Sequence, residues 1–274
     1  FGSSLARSHQ SMGACYGRMS SPPTWVITGA SSGIGLELVK QLAARGDKVY
    51  ATCRKKASSM SGVDEISKVA GDVTIIEGID VAKDEVGAAL AASALAGVTI
   101  DFLVHNAGSV NGTRDVASGE VMSEQNLDVV TMDRMRAAFE VNTLGPLRVQ
   151  QALSAQMKTP GGKVAIISTG LGSIADNTSG GKYAYRTSKC GANMVSRSLS
   201  CDLKEKQIPV VAIAPGFVIT EFGPGSELMA KWGGKPVDQA GKGIIQIMDG
   251  LDMKGTGTFM VVPSSGEAPK EMPW

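Results

Sequence analysis

Short apolar runs alternate along this chain with amphipathic stretches of helical spacing. After the apolar run at residues 25–27, Ile34, Leu38 and Leu42 recur on one helical face, and Gly46 ends that helix near Arg45. The same alternation continues to residue 262. The predicted strands are residues 25–27, 49–52, 73–79, 100–104, 163–167, 210–214 and 259–262.

Between these strands the pattern predicts further helices. They are residues 84–95, a run that ends near Met157, residues 183–205 and residues 238–248. Strands that alternate with helices form a parallel sheet with helices on both faces. The sequence therefore predicts one α/β domain, a doubly wound Rossmann fold with about seven strands. In such folds the ligand crevice lies at the carboxyl ends of the strands.

A glycine-rich turn, Thr28-Gly29-Ala30-Ser31-Ser32-Gly33-Ile34-Gly35, joins the first strand to its helix. Gly29 permits the tight turn, Gly33 lets backbone amides approach a diphosphate, and Gly35 lets the helix pack closely on the strand. The unpaired N–H groups at the helix start bind an anion without a basic side chain. The spacing differs from the common Gly-x-Gly-x-x-Gly, so this turn alone does not separate a dinucleotide site from an ordinary turn.

The residues after the second strand indicate which dinucleotide would bind. Folds that bind NAD place an acid about 20 residues past the glycine turn, where it grips the ribose. Here Arg54 and Lys55 occupy that place, and no acid stands between Asp47 and Asp64. Two cations suit a 2′-phosphate, so NADP(H) is the predicted cofactor. A solvated run of charge is the alternative interpretation.

Tyr185 and Lys189 share one face of the helix that follows the fifth predicted strand. A tyrosine with its ordinary pKa of about 10 is a poor proton donor at neutral pH, and a nearby ammonium lowers that pKa. Lys189 is predicted to do so and also to bond the ribose of the cofactor. A hydroxyl from Ser168 or Thr169 would hold the substrate oxygen.

Taken together and in order, these motifs resemble the short-chain dehydrogenase/reductase family over roughly residues 24–263. The motifs are the glycine turn, Asn106-Ala107-Gly108, Asn142, Tyr185-x-x-x-Lys189 and Pro215-Gly216. The stretch from Gly172 to Lys189 and the Met-Pro-Trp end resemble the Sniffer and C-factor carbonyl reductase branch of that family.

The resemblance implies that Tyr185 is the general acid/base, that Lys189 is its partner and that Asn142 anchors a water-linked proton relay. The family's catalytic serine corresponds here to Thr169, with Ser168 and Ser173 as the alternatives. The resemblance also implies cofactor contacts from Asp80, Val81, Asn106, Ala107, Gly108, Pro215, Gly216, Val218 and Thr220, the last at the carboxamide.

The activity implied is NADPH-dependent reduction of a small-molecule ketone or aldehyde to an alcohol, because the cofactor supplies a hydride and the residues above supply a proton. A rival hypothesis is a non-catalytic NADP-binding subunit or regulator of a larger assembly that keeps the reductase fold. The joint presence of Tyr185, Lys189 and Asn142 favours the enzyme. The polar insert at 109–125 and the glycine-rich flap at 222–235 contain no code that names the substrate.

Composition narrows the range of partners. The formal net charge of the 274 residues is +1, which attracts neither nucleic acid nor an anionic membrane. No apolar segment approaches the roughly 20 residues of a transmembrane helix. Cysteines and histidines are scattered, so neither a disulfide framework nor a metal site is predicted. They are Cys15, Cys53, Cys190, Cys201, His9 and His105.

Residues 1–24 contain Arg7 and Arg18 but no acid, and they are predicted to form a disordered or leader-like arm ahead of the domain at 25–274. As a transit-peptide remnant the arm would direct the protein to a plastid or mitochondrion; otherwise a cytoplasmic protein is expected.

Two helices, the one that ends near Met157 and the one at 183–205, resemble the pair that builds the four-helix interface of the family. A homodimer or homotetramer is therefore predicted. The apolar residues predicted for this interface are Leu147, Leu153, Met194, Val195 and Leu199.

Overall fold

An eight-stranded sheet forms the centre of the molecule. The computed structural model describes residues 21–54, 61–110, 125–222, 225–263 and 267–274. The spatial order of the strands is β3-β2-β1-β4-β5-β6-β7-β8, and all neighbours are parallel except β7 and β8. The strands are β1 (Thr24–Ile27), β2 (Lys48–Thr52), β3 (Val73–Ile76), β4 (Phe102–His105), β5 (Lys163–Ile167), β6 (Val210–Ala214), β7 (Thr258–Val261) and β8 (Lys270–Glu271).

Helices cover both faces of this sheet. They are α1 (Gly33–Arg45), α2 (Ser61–Ser67), α3 (Val86–Ala91), α4 (Met132–Phe139), α5 (Gly145–Leu153), α6 (Tyr183–Asp202), α7 (Ser226–Lys231) and α8 (Val237–Gly250). A π-helical segment, Glu140–Leu144, joins α4 to α5, and a short 3-10 turn, Gly170–Gly172, follows β5.

Buried strands supply alternate residues to the two faces of the sheet. In β1, Trp25 and Ile27 pack with α1 and α8, whereas Val26 packs with α3, α5 and α6. Burial on both faces explains why the strands read as nearly continuous apolar runs. Because the strand order reverses between β1 and β4, the crevice of the fold opens at the carboxyl ends of these two strands.

Gly46 ends α1 in the left-handed conformation, with a φ of +91°. Its N–H faces the carbonyls of Leu42 and Ala43, which satisfies helix-end acceptors. Among the described residues, apart from Gly46 and its immediate chain neighbours, no heavy atom lies within 4 Å of the point that a Cβ on Gly46 would occupy. Gly46 is therefore required only for its backbone conformation.

The predicted fold class is confirmed, and the predicted bounds of β5 and β6 agree with the structure. The sheet has eight strands where about seven were predicted, because the short antiparallel β8 adds an edge. The helices α2 and α7 were not predicted. Several predictions fall outside the described residues: they concern residues 1–20, Lys55, 111–124 and 223–224.

In the described ranges no helix combines the length and apolarity needed to cross a membrane. Within those same ranges, no group of His, Cys, Asp or Glu residues has an arrangement that could hold a metal ion.

The apolar surface predicted for an oligomer interface is wrong in part. Leu153 and Leu199 are 1% and 7% exposed, because both point into the core of their own chain. Met194 on α6 is 65% exposed, and Leu144 in the π-helical segment is 36% exposed. The exposed apolar residues on this side of the molecule thus include the predicted Met194 and also Leu144, which was not predicted.

Candidate active site

The glycine turn after β1 packs too closely against β4 for side chains at two positions. Gly29 has a φ of +66°, and a Cβ there would lie 2.7 Å from Cα of Ala107. A Cβ on Gly35 would lie 2.5 Å from Nδ2 of Asn106. Ser32, which precedes α1, makes no capping hydrogen bond with its side chain. The turn therefore presents backbone N–H groups and the positive end of a helix, a suitable site for a phosphate.

Asn106 and Ala107 hold the glycine turn in place. The Nδ2 of Asn106 donates to the carbonyls of Thr28 and Gly29 at 3.0 and 3.1 Å. The N–H groups of Asn106 and Ala107 both donate to Oγ1 of Thr28 at 3.0 Å. The turn after β4 thus braces the turn after β1, and these predicted cofactor residues lie at the same point of the crevice.

The end of β2 is adjacent to the glycine turn, since the N–H of Ala30 donates to the carbonyl of Thr52 at 2.9 Å. Cys53 is buried, and the side chain of Arg54 that follows it is exposed. An exposed cation two residues past this contact can reach a group bound along the turn. Lys55, the second predicted cation, lies outside the described residues.

Asp80 and Val81 follow β3 and differ in their surroundings. Oδ1 of Asp80 accepts a hydrogen bond from the N–H of Ala82 at 3.1 Å, which fixes the turn. Val81 is 4% exposed, and its Cγ2 would lie 2.9 Å from a Cβ on Gly145. Val81 therefore has a packing role whether or not its backbone also touches a cofactor.

The segment after β6 closes over the glycine turn. Thr220, a predicted cofactor residue, places its Cγ2 3.5 Å from the position of a Cβ on Gly33. Gly216, which follows Pro215, has a φ of +80°, and a Cβ there would lie 2.7 Å from Nζ of Lys235. Glycine is needed at 216 because a lysine from the far end of the same segment occupies the space.

Lys235 fixes this segment and was not predicted from the sequence. Its Nζ donates to the carbonyls of Val262 and Pro263 at 2.6 and 2.9 Å, and its backbone forms a parallel bridge with Val218. Burial lowers the pKa of Lys235 below its ordinary value. The surrounding glycine-rich sequence has weak periodicity, so no sequence signal marked this contact.

Asn142 lies in the π-helical segment and is 1% exposed. Its Nδ2 donates to the carbonyl of Ser109 at 2.7 Å and to Oγ of Ser188 at 3.0 Å, and its Oδ1 accepts from the N–H of Ser109 at 2.9 Å. Pro146 has no N–H to donate to the carbonyl of Asn142, four residues before it. Such π-helical irregularities occur often at functional sites.

Lys189 is buried beside Asn142 and the end of β4. Its Nζ donates to the carbonyl of Ile167 at 2.8 Å. A Cβ on Gly108 would lie 3.4 Å both from this Nζ and from Oδ1 of Asn142. Burial lowers the pKa of Lys189 to about 8, so its ammonium is still mainly protonated at neutral pH.

Tyr185 is 9% exposed on the first turn of α6, and the side chain of Thr169 interacts with its phenol. Burial raises the pKa of the phenol, and the contact with Thr169 opposes this effect only in part. The prediction that Lys189 lowers the pKa of Tyr185 is wrong here, because desolvation dominates.

Of the three candidate hydroxyls, that of Thr169 interacts with the phenol of Tyr185, and it also accepts from the N–H of Leu171 at 3.3 Å. Oγ of Ser168 donates to Oδ1 of Asn193 at 2.6 Å, and Oγ of Ser173 accepts from the N–H of Asp176 at 3.1 Å. Both serines are buried and engaged in structural contacts. The geometry therefore favours Thr169 over Ser168 and Ser173.

Three aromatic side chains lie in the segment after β6, and one of them is adjacent to Tyr185. The ring of Phe222 is 6.1 Å from that of Tyr185, at an interplanar angle of 54°. Phe217 and Trp232 stack on one another at 6.2 Å. These three aromatic residues are 40%, 41% and 59% exposed, so the segment after β6 presents apolar surface to solvent.

Residues 270–274 pack against the loop that follows β5. The N–H of Ala175 donates to the main-chain oxygen of Trp274 at 2.9 Å, and the ring of Trp274 stacks on buried Phe259 at 5.3 Å. Met272 places its Cε 3.5 Å from the position of a Cβ on Gly170. The loop that begins at Thr169 is thus held by β8 and the residues that follow it.

The sequence matches the short chain dehydrogenase family over residues 23–228. This chain belongs to that family, as its fold and its predicted motifs indicate. The site described above therefore lies in an oxidoreductase fold that uses nicotinamide cofactors.

Particular relatives agree with this assignment. The chain is 33% identical over 240 residues to a 1-hydroxy-2-glutathionyl-2-methyl-3-butene dehydrogenase of Rhodococcus sp. (strain AD45). The aligned residues cover 86% of this chain and 95% of that protein. It resembles an NADPH-bound carbonyl reductase from chicken fatty liver, with 26% identity, a TM-score of 0.76 and coverage of 93% and 100% of the two chains. The carbonyl reductase Sniffer of D. melanogaster is also similar, at 26% identity, a TM-score of 0.67 and coverage of 92% and 100%. The predicted resemblance to the Sniffer branch is confirmed.

Proposed function

We propose that this chain is an NADPH-dependent carbonyl reductase that converts a ketone or aldehyde to an alcohol. One observation supports this most directly: Nζ of Lys189 and Oδ1 of Asn142 converge on Gly108 after β4, each 3.4 Å from the position of a Cβ there, and Tyr185 lies one helical turn before Lys189. Similarity to an NADPH-bound carbonyl reductase agrees with the proposal.

The residues present fit a dinucleotide. Side chains are excluded at Gly29 and Gly35, and α1 begins without a side-chain cap, so a diphosphate can approach the backbone N–H groups. When bound, NADPH supplies the hydride that reaches the carbonyl carbon. The Nζ of Lys189 is the group of this chain available to a ribose hydroxyl, since it faces Gly108 across a gap that has no side chain.

Tyr185 and Thr169 would bind the carbonyl oxygen of the substrate through their two hydroxyls. Because the pKa of Tyr185 is raised by burial, the phenol is protonated at neutral pH and donates its proton as negative charge develops on that oxygen. Asn142 holds the backbone at Ser109 and the hydroxyl of Ser188, which keeps the floor of the site rigid.

The role of Tyr185 is tested by the Tyr185→Phe variant in a spectrophotometric assay of NADPH oxidation with a panel of ketones and aldehydes. We expect kcat to fall by about 10²–10⁴-fold, the usual contribution of a proton donor, with little change in the Kd of NADPH. Tyr183→Phe is the matched control, because it removes a phenol from the same helix two residues earlier. A Tyr185→Phe variant with most of the wild-type rate would refute the mechanism.

The choice of hydroxyl is tested by Thr169→Ala, Thr169→Ser and Ser168→Ala. Loss of one donor to a developing oxyanion costs about 10²–10³-fold in kcat, so Thr169→Ala should lose activity and Thr169→Ser should retain it. Ser168→Ala should affect stability more than rate, because its hydroxyl faces Asn193. A normal rate in Thr169→Ala would pass the role to Ser168 or Ser173.

Preference for NADPH over NADH is proposed from Arg54 and from the absence of an acid between Asp47 and Asp64. Arg54→Ala should weaken NADPH binding by roughly tenfold, the effect of about 1.4 kcal/mol, and leave NADH binding unchanged. Lys204→Ala is the control. This exposed cation precedes β6 and so lies near the amino ends of the strands, whereas Arg54 follows the carboxyl end of β2. Equal affinities of the wild type for the two cofactors would contradict the proposal.

The rival function, a non-catalytic NADP-binding subunit, has its own signature: NADPH would bind, and no carbonyl in the panel would be reduced.

A homodimer or homotetramer is proposed through the exposed apolar residues Leu144 and Met194 on the π-helical segment and α6. The proposed compartment is the cytoplasm, or a plastid or mitochondrion if residues 1–24 are a transit-peptide remnant.

A further inference from the structure

The helix that carries Tyr185 and Lys189 begins without an ordinary cap. Lys182, which precedes α6, is left-handed, with a φ of 52°, and makes no capping hydrogen bond with its side chain. The first N–H groups of any helix lack partners within the helix. In α6 two of them are satisfied from a distant part of the chain: the N–H of Tyr183 donates to the main-chain carbonyl of Gln125, and the N–H of Tyr185 donates to Oε1 of Gln125, both at 2.9 Å.

Gln125 is 0% exposed and also contacts the segment that follows β4. Its Nε2 donates to the carbonyl of Val110 at 3.1 Å. Ser109, the residue before Val110, is held on both its N–H and its carbonyl by Asn142. One amide side chain therefore connects the backbone of Tyr185 to the part of the chain that Asn142 fixes.

Only an amide of this length accepts from one backbone group and donates to another at these distances. Water does not replace it readily, because Gln125, Val110 and Tyr185 are all buried. Loss of the amide would leave the N–H of Tyr185 unpaired inside the protein, and the first turn of α6 would have to move to satisfy it.

We propose that Gln125 is a positioning residue that caps the catalytic helix and sets the placement of the Tyr185 phenol against Thr169. This inference rests on the proposed reductase function. A misplacement of about 1 Å at a reacting group costs about 10²-fold in rate, so a backbone contact at Tyr185 itself controls kcat strongly. The glycine turn lies on other elements, and Lys189 is one helical turn further along α6. Cofactor binding is therefore expected to change little.

The primary test is Gln125→Met, which keeps the approximate shape of the side chain and removes both donor and acceptor. We expect kcat to fall by about 30–100-fold on a substrate that the wild type reduces, with the Kd of NADPH within about threefold of the wild-type value. Gln125→Glu keeps an acceptor for the N–H of Tyr185 and loses the donor to Val110. This variant should lose only about 3–10-fold in kcat.

Gln150→Met is the matched control. Gln150 is 1% exposed on α5, and it makes the same kind of buried contacts, to Ser154 and His105, away from Tyr185. It should lower thermal stability and leave kcat near the wild-type value. If Gln150→Met loses as much kcat as Gln125→Met, or if Gln125→Met keeps wild-type kcat, the positioning role is refuted.

Gln125→Asn keeps the question decidable if Gln125→Met fails to fold, because its amide is one carbon too short to reach both backbone groups. Wild-type kcat in a folded Gln125→Asn variant overturns the proposal, and a selective fall in kcat supports it. If the wild type reduces no carbonyl, the proposed function fails; if the wild type is active and the Gln125 variants match it, only the positioning role fails.

Discussion

A single methyl group at Gly29 tests whether the close packing of the glycine turn produces cofactor binding. The change is Gly29→Ala, and its control is Gly46→Ala. Both glycines are left-handed, with φ of +66° and +91°, so both substitutions have the same conformational cost of roughly 1–2 kcal/mol. Only Gly29 has a neighbour in the way, the backbone of Ala107 at 2.7 Å from the new methyl group.

The difference between the two variants therefore isolates the contact with Ala107. Overpacking of a buried site costs about 1–3 kcal/mol more, so Gly29→Ala should lower the free energy of unfolding by about 2–5 kcal/mol and Gly46→Ala by about 1–2 kcal/mol. The turn must also move away from Ala107, which disturbs the backbone N–H groups that face the phosphates. We expect the Kd of NADPH to rise at least tenfold in Gly29→Ala, a loss of about 1.4 kcal/mol.

Urea unfolding and a fluorescence titration with NADPH measure the two quantities separately. Gly46→Ala should bind NADPH as the wild type does, because Gly46 ends α1 far along the chain from the turn. If both variants lose equal stability, or if Gly29→Ala binds NADPH within twofold of Gly46→Ala, the close packing has no part in cofactor binding and the argument is refuted.

Three other predictions follow from the described contacts. Burial lowers the pKa of His105 to about 4, so the unfolded chain takes up a proton before the folded chain does as the pH falls below about 6.5. The free energy of unfolding should therefore drop by about 3 kcal/mol between pH 6.5 and 4. Urea melts of His105→Gln should show a smaller dependence on pH. Met194→Glu should shift sedimentation from dimer to monomer, and a wild type that is monomeric at micromolar concentration would exclude the proposed interface. Trp274→Ala removes the stack on Phe259 and should raise the KM for substrate several-fold without weakening NADPH binding; an unchanged KM would separate residues 270–274 from the site.

The sequence predicted those elements in which local pattern and burial agree. β5 and β6 are buried on both faces, so their apolar runs have clear ends. By contrast, α7 lies in a glycine-rich segment with weak periodicity, and its position depends on Lys235 and the end of β7. The two exposed residues of β8 have no strand pattern of their own and pair only because β7 offers an edge.

The chemistry of the site was predicted less completely than its location. Tyr185 and Lys189 were identified by their spacing. Spacing does not report burial, and burial determines whether the pKa of Tyr185 is raised or lowered. The choice among three hydroxyls also depended on side-chain direction, which only the fold supplies. Gln125 had no sequence signal, because its contacts are 60 residues away at Tyr185.

The π-helical segment at Glu140–Leu144 has a consequence for the evolution of this chain. A π turn accommodates one more residue than an α turn, and each residue of an α-helix rotates the chain by about 100°. Deletion of one residue here would rotate α4 relative to α5 and swing Asn142 away from Ser109, while Pro146 would still prevent a regular helix. Replacement of Pro146 would have to accompany the deletion before a selection for thermal stability could favour it, and a selection for turnover would remove it. The irregular turn is a position where fitness depends on which of the two properties is under selection.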